Sequence, residues 1–155
     1  MFERVALNEE EASRSEKGTR VFCGEFAGRG FRAAKAHVYT GHAMSCLFCK
    51  IIEGTIPSTP VYQDDLVYAF ADINPKAPVH LLIVPREHIG SLAEAGKDKE
   101  ALLGHLLWAA AEIARQKGLT DGYRIVVNTG EDGGQTVDHL HLHLLGGRAL
   151  TWPPG

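Results

Sequence analysis

Long apolar segments are missing from this 155-residue sequence, because no run approaches the roughly 18 residues that a membrane-spanning helix needs. Cysteine is scarce, and an odd count of three argues against a disulfide framework. Excess positive charge is also missing, since the net charge of −3 disfavours nucleic acids and anionic membranes as partners. The first residues carry no secretory or organelle-targeting pattern, so we expect a cytoplasmic protein.

The chain divides into two parts of different character near Met44. Residues 1–43 carry scattered charges and glycines without a sustained period of 2 or 3.6 residues, whereas residues 44–155 show clear periodicity. We therefore expect residues 1–43 to be a poorly ordered extension, or sequence upstream of a natural start at Met44. Residues 44–155 are enough for one domain with a hydrophobic core.

Helical spacing of apolar residues indicates one short and one long helix. Leu47, Phe48, Ile51 and Ile52 share one face of the short helix, which should end near Gly54. The long helix is predicted from Asp98 to Lys117, with Asp98 as its N-cap and Gly118 just beyond its end. Its apolar stripe comprises Leu102, Leu103, Leu106, Leu107, Ala110, Ile113 and Ala114.

Strand patterns alternate with these helices. They cover residues 61–62, 66–71, 80–85, 123–128 and 139–145. Several connections have hairpin length, which favours an α+β domain with an antiparallel sheet of about five strands.

Three histidines alternate with leucines in the run His139-Leu140-His141-Leu142-His143-Leu144-Leu145. In a strand, successive side chains point to opposite faces, so the imidazoles share one face and the leucines enter the core. One metal ion fits such a row poorly, because the outer histidines lie about 13 Å apart along a strand while zinc–nitrogen bonds measure about 2 Å. Neutral imidazole is a nucleophile near pH 7, so the row favours phosphoryl or nucleotidyl transfer.

A glycine-rich loop, Thr129 to Val137, precedes the histidine row. Glycines let backbone N–H groups approach an anion closely, and Gln135 and Thr136 add neutral hydrogen-bond donors. Asn128 stands where the preceding strand is predicted to end. The loop therefore supports a site for a small anionic ligand beside the histidines.

The run from His139 to Leu145 resembles the signature of the histidine triad nucleotide-binding proteins. The resemblance extends from about Met44 to Gly155, and its ending, Gly146-Gly147-Arg148 followed by Trp152-Pro153-Pro154-Gly155, is similar to the Hint branch. Further matching motifs are Phe48-x-Lys50-Ile51-Ile52, Ile56-Pro57, Asp72-Ile73-x-Pro75-x-Ala77-Pro78-x-His80 and Gly133-Gly134-Gln135.

This resemblance implies a phosphoramidase that hydrolyses purine nucleoside 5′-phosphoramidates and related adenylates, without a catalytic cofactor. His141 matches the nucleophile that forms a covalent nucleotidyl intermediate and releases the nucleoside monophosphate. The other catalytic matches are His139, His143, His80 and Thr136, the last standing where a serine is common. The nucleotide-binding matches are Leu47, Phe48, Ile51, Phe70, Asp72, Ile73, Asn128, Gly134, Gln135 and Trp152. A homodimer is implied, with sheets joined through the long helix and residues 123–128.

A second site is indicated by Cys46-x-x-Cys49, a spacing that suits zinc or redox chemistry. The pattern resembles that of bacterial family members that hold structural zinc with two cysteines and two histidines. The resemblance implies His88 and His139 as the remaining ligands.

Two other functions stay open on the sequence. One is dinucleoside polyphosphate hydrolysis, which a sister branch performs with the same triad. The other is a zinc-stabilised purine nucleotide-binding module without significant turnover. The intact triad counts against this alternative, because binding alone does not require His141.

Overall fold

The computed structural model describes residues 46–154, which form one antiparallel sheet with a helix on each face. The elements are α1 (Leu47–Ile52), β1 (Pro60–Gln63), β2 (Val67–Ala71), β3 (Val79–Pro85), α2 (Glu100–Gln116), β4 (Tyr123–Val126) and β5 (Leu142–Gly146). The predicted α+β fold, with five strands, one short helix and one long helix, is confirmed. The predictions for residues 1–43 and for a start at Met44 lie outside the described residues.

The strands follow the order β1-β2-β3-β5-β4, and every neighbouring pair is antiparallel. This order places β3 and β5 in the interior of the sheet and leaves β4 at one edge. His80 lies opposite Leu145, and His143 lies opposite Leu82, so the two histidines are diagonal neighbours on one face.

Side-chain alternation separates two apolar clusters, one on each face of the sheet. Leu81 and Ile83 of β3 pack toward α2, whereas Leu82 and Val84 pack toward α1. The α2 face also receives three leucines of the histidine row, as predicted: Leu140, Leu142 and Leu144. The histidines are therefore left to the α1 face.

The observed α2 is shorter than the predicted helix and starts differently. A 3₁₀ turn, Lys97–Lys99, precedes it, so Lys99 takes the N-cap position and the prediction of Asp98 as N-cap is wrong. At the other end, Gly118 adopts a φ of 68° and Leu119 N–H donates to the Ala114 carbonyl, which confirms the predicted glycine stop. Leu107 is 52% exposed and so lies outside the buried stripe to which the pattern assigned it.

The histidine strand begins later than its alternation predicts. The ladder of β5 starts at Leu142, so His139 and His141 precede the strand instead of belonging to it. The predicted strand over residues 123–128 also ends early, at Val126. Within residues 46–154, none of the helices is long and apolar enough to cross a membrane.

Candidate active site

The proton positions on His141 follow from one hydrogen bond. Its Nδ1 lies 2.7 Å from the backbone carbonyl oxygen of His139, and a carbonyl only accepts. Nδ1 therefore carries the proton and donates it, which leaves an unprotonated lone pair on Nε2 of the neutral ring. His141 is 4% exposed, and its ring lies against Phe48 at a centroid distance of 5.3 Å. The arrangement holds a nucleophilic nitrogen in a fixed direction.

His80 and His143 form a second imidazole pair beside it. The backbone N–H of Lys76 donates to Nδ1 of His80, so the proton of neutral His80 is on Nε2. His80 Nε2 lies 2.9 Å from His143 Nδ1, which must then accept, so the proton of neutral His143 is on Nε2. Asp72 Oδ2 lies 3.4 Å from His80 Nε2 and 4.0 Å from His143 Nδ1. His143 thus offers an N–H donor next to His141, at a ring distance of 5.0 Å.

Burial keeps both members of this pair neutral. It lowers the pKa of His80, with a smaller lowering from Lys76, while the Asp72 carboxylate acts in the opposite direction. Burial likewise lowers the pKa of His143, and the neighbouring His141 and His80 lower it further against Asp72. The neutral tautomers derived from the hydrogen bonds are therefore the stable forms near pH 7.

The four predicted metal ligands come together in one cluster: Cys46, Cys49, His88 and His139. His139 Nδ1 lies 3.4 Å from Cys46 Sγ and 3.6 Å from Cys49 Sγ, and His88 Nδ1 lies 3.3 Å from Cys49 Sγ. His139 Nε2 donates to the Pro85 carbonyl at 2.9 Å, which directs the Nδ1 lone pair toward the thiols. The cluster joins α1, the β3–α2 loop and the segment before β5.

The donor set fits a tetrahedral zinc ion. Zinc–sulfur bonds of about 2.3 Å and zinc–nitrogen bonds of about 2.0–2.1 Å require sulfur–nitrogen separations of about 3.5 Å in a tetrahedron, and the three observed separations agree with this value. In the protein alone, burial and the neighbouring Cys46 raise the pKa of the Cys49 thiol to about 12. Burial also lowers the pKa of His139 to about 4, against its hydrogen bond to Pro85.

An apolar cleft of about 380 Å³ opens between α1 and the end of β2. Five predicted nucleotide-binding residues line it: Leu47, Ile51, Phe70, Asp72 and Ile73. Phe48 is buried beneath, where its ring contacts Phe70 at 5.6 Å and both His139 and His141. Ile73 is 99% exposed and therefore stands at the rim.

Sequence reasoning missed the part of this cleft formed by Leu82 and residues 56–59. A signal for Leu82 was present, because it stands two residues after His80 in a strand and so shares its face. The Lys76 N–H and the Pro85 carbonyl, which set the tautomers of His80 and His139, were also missed. Contacts made by backbone groups cannot be predicted from residue types, so the sequence did not indicate them.

The glycine-rich loop is shaped by contacts within itself and by one hydrogen bond to Gly90. Gly134 N–H donates to the Glu131 carbonyl, and the Gln135 side chain donates both amide hydrogens to the carbonyls of Gly90 and Val137. A side chain at Gly133 would collide with the Thr129 carbonyl. These contacts indicate that Gly134 and Gln135 maintain the shape of the loop. Direct hydrogen bonding from these two residues to a phosphate stays a prediction.

Three predicted site residues make no hydrogen bond or ring contact with the histidines within the described residues. Asn128 is half-buried, Thr136 is exposed and Trp152 is 83% exposed. Across residues 46–154, no hydrogen bond or ring contact connects these three to the triad. Their predicted roles depend on a bound ligand or on a second subunit.

Comparison with known proteins agrees with this geometry. The model of the HIT domain family matches residues 53–150, which is more than half of the chain. The chain belongs to the HIT domain family. An uncharacterized HIT-like protein of Synechococcus elongatus is 59% identical over 109 residues, covering 70% of this chain and 96% of the relative. The 14 kDa zinc-binding protein of Zea mays is 53% identical over 111 residues, covering 70% and 87%.

Solved HIT structures share the fold. A HIT family hydrolase from Legionella pneumophila superposes with a TM-score of 0.70 at 51% identity, covering 72% of this chain and all of that one. A histidine triad nucleotide-binding protein from Candida albicans gives a TM-score of 0.61 at 34% identity, covering 70% and 83%. The fold that places the triad is thus common to this HIT protein and these relatives.

Proposed function

We propose that this HIT protein is a hydrolase of purine nucleoside 5′-phosphoramidates and related adenylates, of the Hint type, with His141 as its nucleophile. The observation that carries the proposal is the hydrogen bond from His141 Nδ1 to the His139 carbonyl, which leaves Nε2 free to attack. A binding module without turnover needs no such fixed lone pair. The Legionella pneumophila relative, described as a HIT family hydrolase, supports the general class of reaction.

The reaction has two steps on one nitrogen. His141 Nε2 attacks the α-phosphorus, a phosphorus–nitrogen bond to His141 forms, and the bond to the leaving amine breaks while the amine takes up a proton. Water then attacks the same phosphorus, which frees His141 and releases the nucleoside monophosphate. The Nε2–H of His143 donates to a non-bridging oxygen, and the His139 carbonyl stabilises the charged His141 ring in both steps.

The cleft beside α1 receives the purine. Leu47, Ile51 and Phe70 supply apolar contact for the base, and Asp72 at the end of β2 accepts hydrogen bonds from the ribose hydroxyls. Asn128 and Thr136 donate to the phosphate or the leaving group, while Gly134 and Gln135 maintain the loop that presents Thr136. Contact with the base is mainly apolar, so we expect modest discrimination between adenine and guanine.

The cluster of Cys46, Cys49, His88 and His139 is a structural zinc site in this proposal. Its support is the tetrahedral fit of the donor atoms, together with the Zea mays relative described as zinc-binding. Bound zinc would cross-link three chain segments and take no part in the chemistry. Metal analysis of freshly reduced protein should therefore find about one zinc per chain.

A homodimer completes the proposal. The edge strand β4 has no partner on its outer side among residues 46–154, and Leu107 and Trp108 of α2 are half-exposed. An open strand edge and exposed apolar side chains are the features that a two-fold interface covers. Trp152 of one subunit would then approach the site of the other.

Two substrates and one variant test the activity. The wild-type protein should release AMP from adenosine 5′-phosphoramidate much faster than it cleaves diadenosine polyphosphate, and His141→Ala should abolish release while retaining AMP binding. Faster cleavage of the polyphosphate would favour the sister-branch activity. Absence of release from both substrates, with AMP still bound, would favour the binding module.

A further inference from the structure

The peptide group between His139 and Leu140 connects the metal cluster to the nucleophile. Its carbonyl oxygen accepts the Nδ1–H of His141 at 2.7 Å, and its N–H donates to the Ile89 carbonyl at 2.6 Å. Both atoms belong to one planar unit, so the Ile89 carbonyl fixes the direction in which the His139 carbonyl points. Ile89 directly follows His88, which is a member of the cluster.

The β-ladder does not hold this peptide group. Pairing of β5 with β3 begins at Leu142, and pairing with β4 begins at His143. Apolar packing of Leu140 and Phe48 helps to hold the segment before the ladder, and three polar interactions connect it to neighbouring chain segments: the His139 imidazole in the cluster, its hydrogen bond to Pro85, and the hydrogen bond to Ile89. All three involve either His139, which is a member of the cluster, or Ile89, which directly follows one.

From this placement we infer that His88 is a positioning residue for the nucleophile. When His88 is anchored in the cluster, it fixes the position of the neighbouring Ile89 carbonyl. That carbonyl orients the 139–140 peptide group, whose carbonyl oxygen keeps the proton of His141 on Nδ1. When His88 is not anchored, the peptide tilts and His141 samples the tautomer with the proton on Nε2, which cannot attack phosphorus. The consequence for turnover rests on the proposed function, whereas the consequence for the tautomer does not.

The experiment compares His88→Ala with His88→Cys. The cysteine variant keeps a four-ligand zinc set of three thiolates and one imidazole, a known structural class, so it should retain zinc and rescue the nucleophile. The alanine variant removes one ligand. Asp64→Asn is the stability control, because it weakens the β1–β2 turn without touching the cluster.

The first readout is the ¹⁵N–¹H spectrum of the His141 ring at pH 8, beside zinc content. Wild type, His88→Cys and Asp64→Asn should each show one tautomer protonated at Nδ1, and His88→Ala should show a mixture. The second readout is kcat on adenosine 5′-phosphoramidate, which should fall by about 10-fold or more in His88→Ala and recover in His88→Cys. The KM should change less than kcat, because His88 does not line the cleft.

A single Nδ1–H tautomer in His88→Ala would overturn the inference, as would an equal mixture in Asp64→Asn, which would indicate general loosening. If His88→Ala does not fold, wild-type protein stripped of zinc by a chelator is examined instead, and an unchanged tautomer there would also overturn it. A wild-type protein without hydrolase activity would defeat the proposed function alone. The tautomer measurement would still decide the role of His88.

Discussion

At the residue scale, the site depends on which nitrogen of each imidazole carries the proton. Lys76 N–H, the His139 carbonyl and the Pro85 carbonyl each set one tautomer, and all three are backbone groups. The sequence predicted the histidines and their shared face from alternation alone. It did not predict their proton positions, because these depend on backbone groups that tertiary folding brings near.

Asp72 should set the acid side of the pH profile. Its carboxylate raises the pKa of both His80 and His143, against the lowering caused by burial. Removing that charge in Asp72→Asn lowers both pKa values further, so the fall of kcat on acidification should move to lower pH while KM rises. The measurement is kcat against pH at saturating adenosine 5′-phosphoramidate. An unmoved or higher acid limb would contradict the assignment.

Gly133 should tolerate no side chain. A Cβ at this position would collide with the Thr129 carbonyl, which is backbone and can move only if the loop changes. Gly133→Ala should therefore cost about 1–3 kcal/mol of unfolding free energy and lower kcat by displacing Thr136. Urea unfolding and kinetics measure both effects. Wild-type stability and rate would mean that the loop does not have this shape.

At the element scale, Asp64 fixes the turn between β1 and β2. Its Oδ1 accepts from the N–H groups of Leu66 and Val67, and its Oδ2 accepts from Tyr62 and from His105 of α2. Burial opposes the charge of Asp64, yet these hydrogen bonds outweigh burial and lower its pKa to about 2.

A lowered carboxyl pKa gives stability that is present above pH 4 and lost as pH falls toward 2. Wild type should therefore exceed Asp64→Asn by about 1–2 kcal/mol in unfolding free energy at neutral pH, since hydrogen bonds to a charged group are at stake. The gap should close between pH 4 and pH 2. Urea titrations at several pH values measure it, and a gap independent of pH would show that the charge of Asp64 does not matter.

Element boundaries mark the limits of sequence reasoning on this fold. Periodicity predicted α2 and its glycine stop, because a buried stripe and a left-handed glycine both leave a residue signature. It placed the start at Asp98, where a 3₁₀ turn precedes the helix. It also extended the histidine strand back to His139, because side chains keep alternating before the ladder begins.

At the scale of the whole molecule, the main core and the candidate site lie on opposite faces of one sheet. The α2 face holds the main core, while the α1 face holds the cleft, the histidines and the cluster of two cysteines and two histidines. β3 and β5 serve both faces through alternating side chains. The cleft was only partly predictable from the sequence, because several residues that line it have the apolar pattern of ordinary core residues.

The exposed apolar residues of α2 predict assembly. Leu107→Glu should convert a dimer to a monomer, because it would bury a charge where two apolar surfaces meet. Leu92→Glu, at another exposed leucine outside α2, is the matched control and should leave the mass unchanged. Sedimentation analysis distinguishes the two. A monomeric wild-type protein would contradict the predicted interface.

The most direct test of His141 as nucleophile is AMP release from adenosine 5′-phosphoramidate by wild-type protein and by His141→Ala. We expect release by the wild type, a covalent adenylyl group on His141 when the reaction is quenched early, and neither in the variant. Equal release by both proteins, or an adenylyl group on another residue, would contradict the assignment of His141 as nucleophile.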